Sequence, residues 1–129
     1  MNHKTLIVYQ DGRPDLERTA LSLHERLGSK DREAVVKPAS QITIPEILAT
    51  SLFIFGADEP EAKSYAEIVR VLSGINLASR RVAFFGADGA SVAWLKNMVS
   101  DSELAQVGTD LLGSKPDPAA IAAWVRSIS

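Results

Sequence analysis

The chain has 129 residues, of which 46% are hydrophobic, and this is enough for one ordinary core, so we expect a single domain over residues 1–129. A formal net charge of -2 provides no basic field for nucleic acid or for an anionic membrane, so neither is an expected partner. The chain has no cysteine, which excludes disulfides and thiolate metal sites. It shows no signal peptide and no apolar run of the ~20 residues that a membrane span needs, so we expect a soluble cytoplasmic protein.

The first three predicted elements are a strand, a helix and a second strand. Residues 5–9 form a short apolar run rich in β-formers, and the turn-forming residues 10–14 follow it. From Pro14 onward, apolar side chains recur at helical spacing as far as Gly28, where the helix is expected to end. Residues 33–37 are brief and flanked by charges, which favours a strand at the edge of a sheet.

Two buried strands are predicted in the middle of the chain. After a loop with a short helix at residues 45–49, the run 51–55 shows no polar alternation, which is typical of a strand covered on both faces. Pro60 is expected to open a helix that Gly74 closes. Residues 81–85 repeat the buried pattern, so a second inner strand is predicted there.

The last part of the chain predicts two more helices around a weak strand. Asp88 or Ser91 is expected to cap the first of these helices, and residues 107–112 form the weak strand. Asp117 and Pro118 suit the cap and first turn of a closing helix. The core face of that helix is predicted from apolar side chains at helical spacing, namely Ile121, Trp124, Val125 and Ile128.

This alternation predicts an α/β fold of three layers, in which helices cover both faces of a doubly wound, five-stranded parallel sheet. Ligands bind such sheets at the carboxyl ends of the strands. The tetrapeptide Phe-Gly-Ala-Asp occurs there twice, at residues 55–58 and 85–88, and each strand is expected to end at the glycine. Both loops should therefore open onto one crevice together with the loop after the first strand.

Four carboxylates of these loops have the chemistry to bind a hard cation such as Mg²⁺ if they converge at one strand edge, namely Asp11, Asp58, Glu59 and Asp88. Aspartate is also common in turns and at helix caps, because its side chain hydrogen-bonds the local backbone. We favour that local role and predict no metal site. No histidine or serine has the sequence context of a hydrolytic triad, so an electron carrier or binding protein is favoured over a catalyst.

The chain resembles a short flavodoxin over nearly its whole length. The resemblance is carried by Leu6-Ile7-Val8-Tyr9 with the loop and helix after it, by Phe53-Ile54-Phe55-Gly56, and above all by residues 75–77 leading to Arg81-Val82-Ala83-Phe84-Phe85-Gly86. It implies a flavodoxin-like fold with strand order 2-1-3-4-5, FMN as the cofactor, and electron transfer with a redox protein partner. The implied cofactor-binding residues are Gln10, Asp11, Gly12 and Arg13 in the first loop, Gly56, Ala57 and Asp58 in the second, and Gly86, Ala87, Asp88 and Gly89 in the third.

The first loop departs from the flavodoxin pattern. In the family, a loop of the type S/T-x-T-G-x-T presents hydroxyls and backbone N–H groups to the FMN phosphate at the start of a helix. Here residues 11–16 have no hydroxyl, and Pro14 replaces the glycine and removes an N–H donor. Asp11 and Asp15 bring carboxylates to the same loop, and Arg13 is the one compensating cation. We therefore predict a weakened phosphate-binding loop.

Two alternatives to FMN-dependent electron transfer remain open from the sequence. One is a flavin-free binding or regulatory module that kept the scaffold and has a regulatory protein partner. The other is a degenerate receiver domain, because residues 108–116 are similar to the aliphatic strand and Lys-Pro that end receivers. Gly56 stands where a receiver needs its phosphoacceptor aspartate, which counts against that alternative.

Overall fold

The computed structural model describes residues 4–28 and 33–128 and shows strands alternating with helices. In chain order, the strands and α-helices are β1 (Lys4–Tyr9), α1 (Pro14–Leu27), β2 (Glu33–Pro38), α2 (Ile44–Ala49), β3 (Leu52–Ala57), α3 (Ala66–Leu72), β4 (Arg81–Gly86), α4 (Gly89–Met98), β5 (Ala105–Gln106), β6 (Leu111–Leu112) and α5 (Pro118–Ile128). Short 3₁₀ turns lie at Ala39–Gln41, Lys63–Tyr65 and Ser100–Ser102.

The strands form one parallel sheet in the order β2-β1-β3-β4-β5, with β6 also paired to β4. This confirms the predicted order 2-1-3-4-5. The strand β2 lies at one edge, as its flanking charges predicted. The inner strand β3 is buried along all six of its residues, which is why it lacks polar alternation.

Two apolar clusters, one on each face of the sheet, make up the core. Helices α1 and α5 cover one face, where Leu23 and Trp124 belong to the same apolar cluster as Phe85 of β4. The other face is covered by α2, α3 and α4, whose side chains Ile47, Ile68 and Leu95 pack against Phe53 and Phe55 of β3. The three-layer architecture follows from these two clusters, because each strand presents apolar side chains on both sides.

The prediction that each buried strand ends at its glycine is corrected for β3 and confirmed for β4. The strand β3 runs through Gly56 to Ala57, and β4 runs to Gly86 itself, where the two are still in register. The prediction of a helix from Pro60 is also wrong. The next residue, Glu61, has a φ of 56°, which is left-handed and does not continue a right-handed helix, so α3 begins only at Ala66.

The predicted strand at residues 107–112 is instead two strands of two residues each. The strand β5 pairs with Arg81 and Val82, whereas β6 pairs with Phe85 and Gly86. Between them the chain makes a bulge at residues 107–110, which is anchored to α5 by the indole N–H of Trp124, a donor to the carbonyl of Thr109 at 2.5 Å. The bulge contains extra residues relative to β4. Gln106 pairs with Val82 and Leu111 pairs with Phe85, so five steps along this segment lie beside only three steps along β4.

None of the helices in the described ranges 4–28 and 33–128 has the length and apolar character that crossing a bilayer requires.

Candidate functional site

The carboxyl ends of β1, β3 and β4 lie side by side, so the three predicted loops meet at one edge of the sheet. Tyr9 at the end of β1 pairs with Gly56, and Ala57 at the end of β3 pairs with Gly86. The backbone N–H of Gln10 donates to the carbonyl of Gly56 at 3.0 Å and so extends the contact between β1 and β3 by one residue.

Gln10 joins the first loop to the second through both ends of its side-chain amide. Its Oε1 accepts a hydrogen bond from the backbone N–H of Asp58, and its Nε2 donates to Oε1 of Glu59, each at 2.9 Å. Only 4% of Gln10 is exposed, so water does not compete freely for these groups. The loop after β3 is therefore held against the loop after β1 by a buried amide.

The start of α1 has an unusual charge arrangement. Arg13 is the N-cap residue, and no side chain of the described residues caps the helix there, so the first-turn N–H groups are left for water or a ligand. The guanidinium Nη2 of Arg13 lies 3.1 Å from Oε2 of Glu59, and the two side chains are 41% and 51% exposed. The guanidinium of the N-cap residue is thus paired with a carboxylate of the loop after β3.

The two aspartates of the first loop are each engaged by a neighbour. The carboxylate of Asp11 accepts hydrogen bonds from the backbone N–H of Ser40, at 3.1 Å, and from the Ser40 hydroxyl. The backbone N–H of Asp11 lies 3.3 Å from the hydroxyl oxygen of Ser64 and donates to it. The Asp15 carboxylate pairs with Arg18 on the next turn of α1, at 3.3 Å.

An open crevice of about 740 Å³ lies between the first and second loops. This volume falls within the range of about 300–1,000 Å³ that is usual for small-molecule sites. Among the described residues that line it, none is aromatic and five are charged. The lining residues are Gln10, Asp11, Gly12, Arg13, Glu59, Pro60, Glu61, Lys63 and Ser64.

Asp58 lies just behind this crevice and carries an unsatisfied acceptor. Of the buried side-chain nitrogen and oxygen atoms in the described residues, its Oδ1 is the one without a hydrogen-bond partner. Burial raises the pKa of the Asp58 carboxyl, and the carboxylates of Asp15 and Asp88 add to the rise. The Arg13 guanidinium and the Ala87 backbone N–H act in the opposite direction on that pKa.

The third loop takes a different role from the first two. Asp88 is the N-cap of α4 and accepts hydrogen bonds at 2.9 Å from both the backbone N–H and the hydroxyl of Ser91. These hydrogen bonds lower the pKa of the Asp88 carboxyl. Neither Asp88 nor its neighbours Ala87 and Gly89 line the crevice, and Gly89 already belongs to α4.

The glycines of the two Phe-Gly-Ala-Asp copies lie inside the sheet, where the space for a side chain is filled. A Cβ on Gly56 would overlap the ring of Phe85, and a Cβ on Gly86 would overlap the carbonyl oxygen of Ala57. Gly12 differs, because its φ is 74° and nothing lies within 4 Å of the place where a Cβ would be. Of the candidate site residues, the structure thus brings Gln10, Asp11, Gly12 and Arg13 together at the crevice, with Asp58 behind it, whereas Gly56, Ala57 and Gly86 are buried below.

Several residues at this edge were not among the candidate cofactor-binding residues. Glu59, considered from the sequence for a metal, binds Gln10 and Arg13 instead. Ser40 follows the edge strand β2, whose carboxyl end adjoins β1, so strand order would have pointed to it. Along residues 4–28 and 33–128, no three or more His, Cys, Asp or Glu side chains are grouped so as to hold a metal ion.

Tyr65 supports the floor of the crevice from within the core. Its hydroxyl oxygen lies 2.8 Å from the carbonyl of Gly56 and 3.2 Å from the carbonyl of Val8, and it accepts the N–H of Gly56 at 3.2 Å. Burial raises the pKa of this hydroxyl, so it stays a protonated donor. The hydroxyl thus connects the ends of β1 and β3 directly beneath the two loops.

We expect Tyr65→Phe to lower the free energy of unfolding by about 1–2 kcal/mol, because it removes the buried hydrogen bonds that the hydroxyl makes to the carbonyls of Val8 and Gly56. The matched control is Tyr9→Phe, whose exposed hydroxyl lies 3.5 Å from Glu17 and whose loss should cost under about 0.5 kcal/mol. Urea denaturation of the two variants measures the difference. Equal losses of unfolding free energy in the two variants would show that the Tyr65 hydroxyl does not hold β1 and β3 together.

Known structures resemble this chain closely in fold. A flavodoxin from Streptococcus pneumoniae TIGR4 superposes with a TM-score of 0.81 over 97% of both chains, at 11% identity. The oxidised flavodoxin 2 of Bacillus cereus gives 0.77 at 20% identity, over 95% of this chain and 93% of its own. The chain has the flavodoxin fold. A Fusobacterium nucleatum flavodoxin variant bound to flavin mononucleotide also gives 0.81, at 11% identity, over 99% of this chain and 96% of its own.

Comparison of this flavodoxin-like chain with protein-family models and with curated proteins found no relative. No protein-family model matches it, and no curated protein does. The structural neighbours reported above are all flavodoxins, so the fold comparison does not favour a receiver domain.

Proposed function

We propose that this flavodoxin-like chain binds FMN in the crevice and transfers electrons, and that its phosphate loop holds the cofactor weakly. The observation that carries the proposal is the crevice itself. It opens at the carboxyl end of β1, beside the uncapped start of α1, in a chain with the flavodoxin fold. Helix starts of this kind attract phosphate, because their free N–H groups and the helix dipole favour an anion.

The residues at the crevice fit such a ligand in three respects. Gly12 leaves open space beside the loop backbone, and Arg13 brings a guanidinium to the helix start, so these two would hold the phosphate. The crevice, at about 740 Å³, is within the usual size range of small-molecule sites. When bound, the flavin supplies the redox chemistry, and the chain contributes binding, orientation and electrostatics.

The same crevice gives reasons to expect a modest affinity. Residues 11–16 contain no hydroxyl, and Pro14 at the first position of α1 has no N–H to offer. No described lining residue is aromatic, so stacking on a flavin ring would have to come from elsewhere. We therefore propose a dissociation constant for FMN in the micromolar range.

Titration of the purified protein with FMN, followed by flavin fluorescence, tests the proposal. We expect saturable binding with micromolar affinity, and a yellow preparation would agree with it. Arg13→Gln should weaken binding by about fivefold, because it removes a charge facing the phosphate near the surface. The control is Arg18→Gln on the same helix, whose partner is Asp15 and which should leave the affinity unchanged.

Protein that stays unsaturated at millimolar FMN would overturn the proposal in favour of the flavin-free module. We further propose that the electrons pass to or from a redox protein partner, and that the protein acts in the cytoplasm. The low net charge supports neither a nucleic acid nor a membrane as that partner.

A further inference from the structure

Glu59 makes two side-chain contacts, one of them with the N-cap residue of α1. Its carboxylate accepts a hydrogen bond from Nε2 of Gln10 at 2.9 Å and pairs with Nη2 of Arg13 at 3.1 Å. Gln10 is almost fully buried, and its Oε1 is taken by the backbone N–H of Asp58. Because the amide that orients Glu59 is itself fixed at both ends, the carboxylate is directed at the guanidinium.

The charge of Arg13 is therefore already matched by a group of the same chain. An anion that approaches the start of α1 meets a guanidinium whose partner is a carboxylate only 3.1 Å away. It must either displace Glu59 or accept repulsion from it. A ligand without an anionic group neither has to displace Glu59 nor is repelled by its charge.

We propose that Glu59 is a specificity-determining residue, an internal counter-anion that reduces what a terminal phosphate contributes to binding in this crevice. This inference rests on the proposed function, and it predicts which flavins the crevice prefers. The chain should bind riboflavin, which is FMN without the phosphate, about as tightly as FMN itself. Removing the charge of Glu59 should restore a preference for the phosphorylated ligand.

The expected size of the effect follows from the exposure of the pair. Both side chains are about half exposed, so solvent screens the interaction and a change of about fivefold in affinity is expected for one unit charge. The effect should shrink as salt is added, since the screening length falls to about 8 Å at 0.15 M.

Glu59→Gln is the test variant, since glutamine keeps an oxygen that accepts the hydrogen bond from Gln10 while losing the charge. Glu61→Gln is the matched control. It removes the same charge from the same crevice, from a residue that is not the ion-pair partner of Arg13. Urea denaturation of both variants shows whether either substitution disturbs the fold.

Dissociation constants for FMN and riboflavin are to be measured at low salt in the wild type and in both variants. We expect a ratio near one for the wild type. Glu59→Gln should shift that ratio toward FMN by about fivefold, and Glu61→Gln by less than about twofold, because only the first charge touches Arg13. A wild-type preference for FMN above tenfold, or equal shifts in the two variants, would overturn the inference.

Failure of the proposed function is distinguishable from failure of this inference. If no flavin binds, the proposed function fails, and inorganic phosphate then serves as the probe. Amide chemical shifts of Gly12 and Arg13 during a phosphate titration report on the start of α1 directly. Tighter phosphate binding in Glu59→Gln than in Glu61→Gln would support the internal counter-anion, and equal binding would contradict it.

Discussion

Gly86→Ala is expected to lower the free energy of unfolding by about 3 kcal/mol, the upper part of the usual range for overpacking a core. The added Cβ would overlap the carbonyl oxygen of Ala57 on the neighbouring strand, and it would lie 3.3 Å from Cγ2 of Val92. A backbone carbonyl in the middle of a sheet cannot rotate away as a side chain can. The strands β3 and β4 must therefore separate at their carboxyl ends.

The matched control is Gly89→Ala, three residues further along the same loop. Nothing lies within 4 Å of the place where its Cβ would be, and the residue is the first of α4. Alanine is preferred to glycine in a helix, so this variant should be unchanged or more stable by about 0.5 kcal/mol. Urea denaturation midpoints of both variants decide the question. A Gly86→Ala protein as stable as the control would show that the close approach of the two strands is not a constraint.

Gly56→Ala is expected to cost about 2–3 kcal/mol, because its Cβ would overlap the ring of Phe85, which is 1% exposed and packed into the core. The hydroxyl of Tyr65 contacts the same glycine from the opposite face of the sheet. The strand therefore cannot move away from the ring without being pressed against that hydroxyl.

A second substitution tests whether the ring causes this loss. Phe85→Leu alone removes apolar volume and should be destabilising by about 1–2 kcal/mol. In the double variant the smaller side chain makes room for the Cβ, so its cost should fall below the sum of the two single costs by about 1 kcal/mol or more. If urea denaturation shows that the losses of unfolding free energy in the two single variants simply add in the double variant, the Phe85 ring is not the cause of the strain in Gly56→Ala.

Much of the fold could be predicted from the order of apolar runs. Unbroken hydrophobic stretches such as residues 52–55 favour an inner strand covered by helices on both faces, whereas the strand order came from the flavodoxin resemblance. Boundaries were less predictable. Proline at 60 suits a helix start, yet the left-handed backbone at Glu61 delays α3, and no local pattern in the sequence indicates that conformation.

The candidate site was predictable as a place but not as a set of contacts. Strand order fixes where the loops meet, and this brought Gln10 and Asp58 together as expected. The contacts of Glu59 with Gln10 and Arg13 join residues that lie far apart in sequence. The sequence alone does not distinguish these contacts from other possible pairings between the polar side chains of the two loops. The roles of Gly56 and Gly86 were equally hard to predict. A glycine at a strand end can leave room for a ligand or for the close approach of a neighbouring part of the protein, and the sequence does not tell which.

The interrupted fifth strand affects how this molecule meets other copies of itself. A long, straight edge strand is a template on which another chain can add a strand and so begin aggregation. Here the edge beside β4 offers two pieces of two residues each, separated by a bulge that Trp124 fastens to α5. No continuous row of donors and acceptors extends along that side of the described sheet, so the bulge protects that edge against intermolecular strand addition.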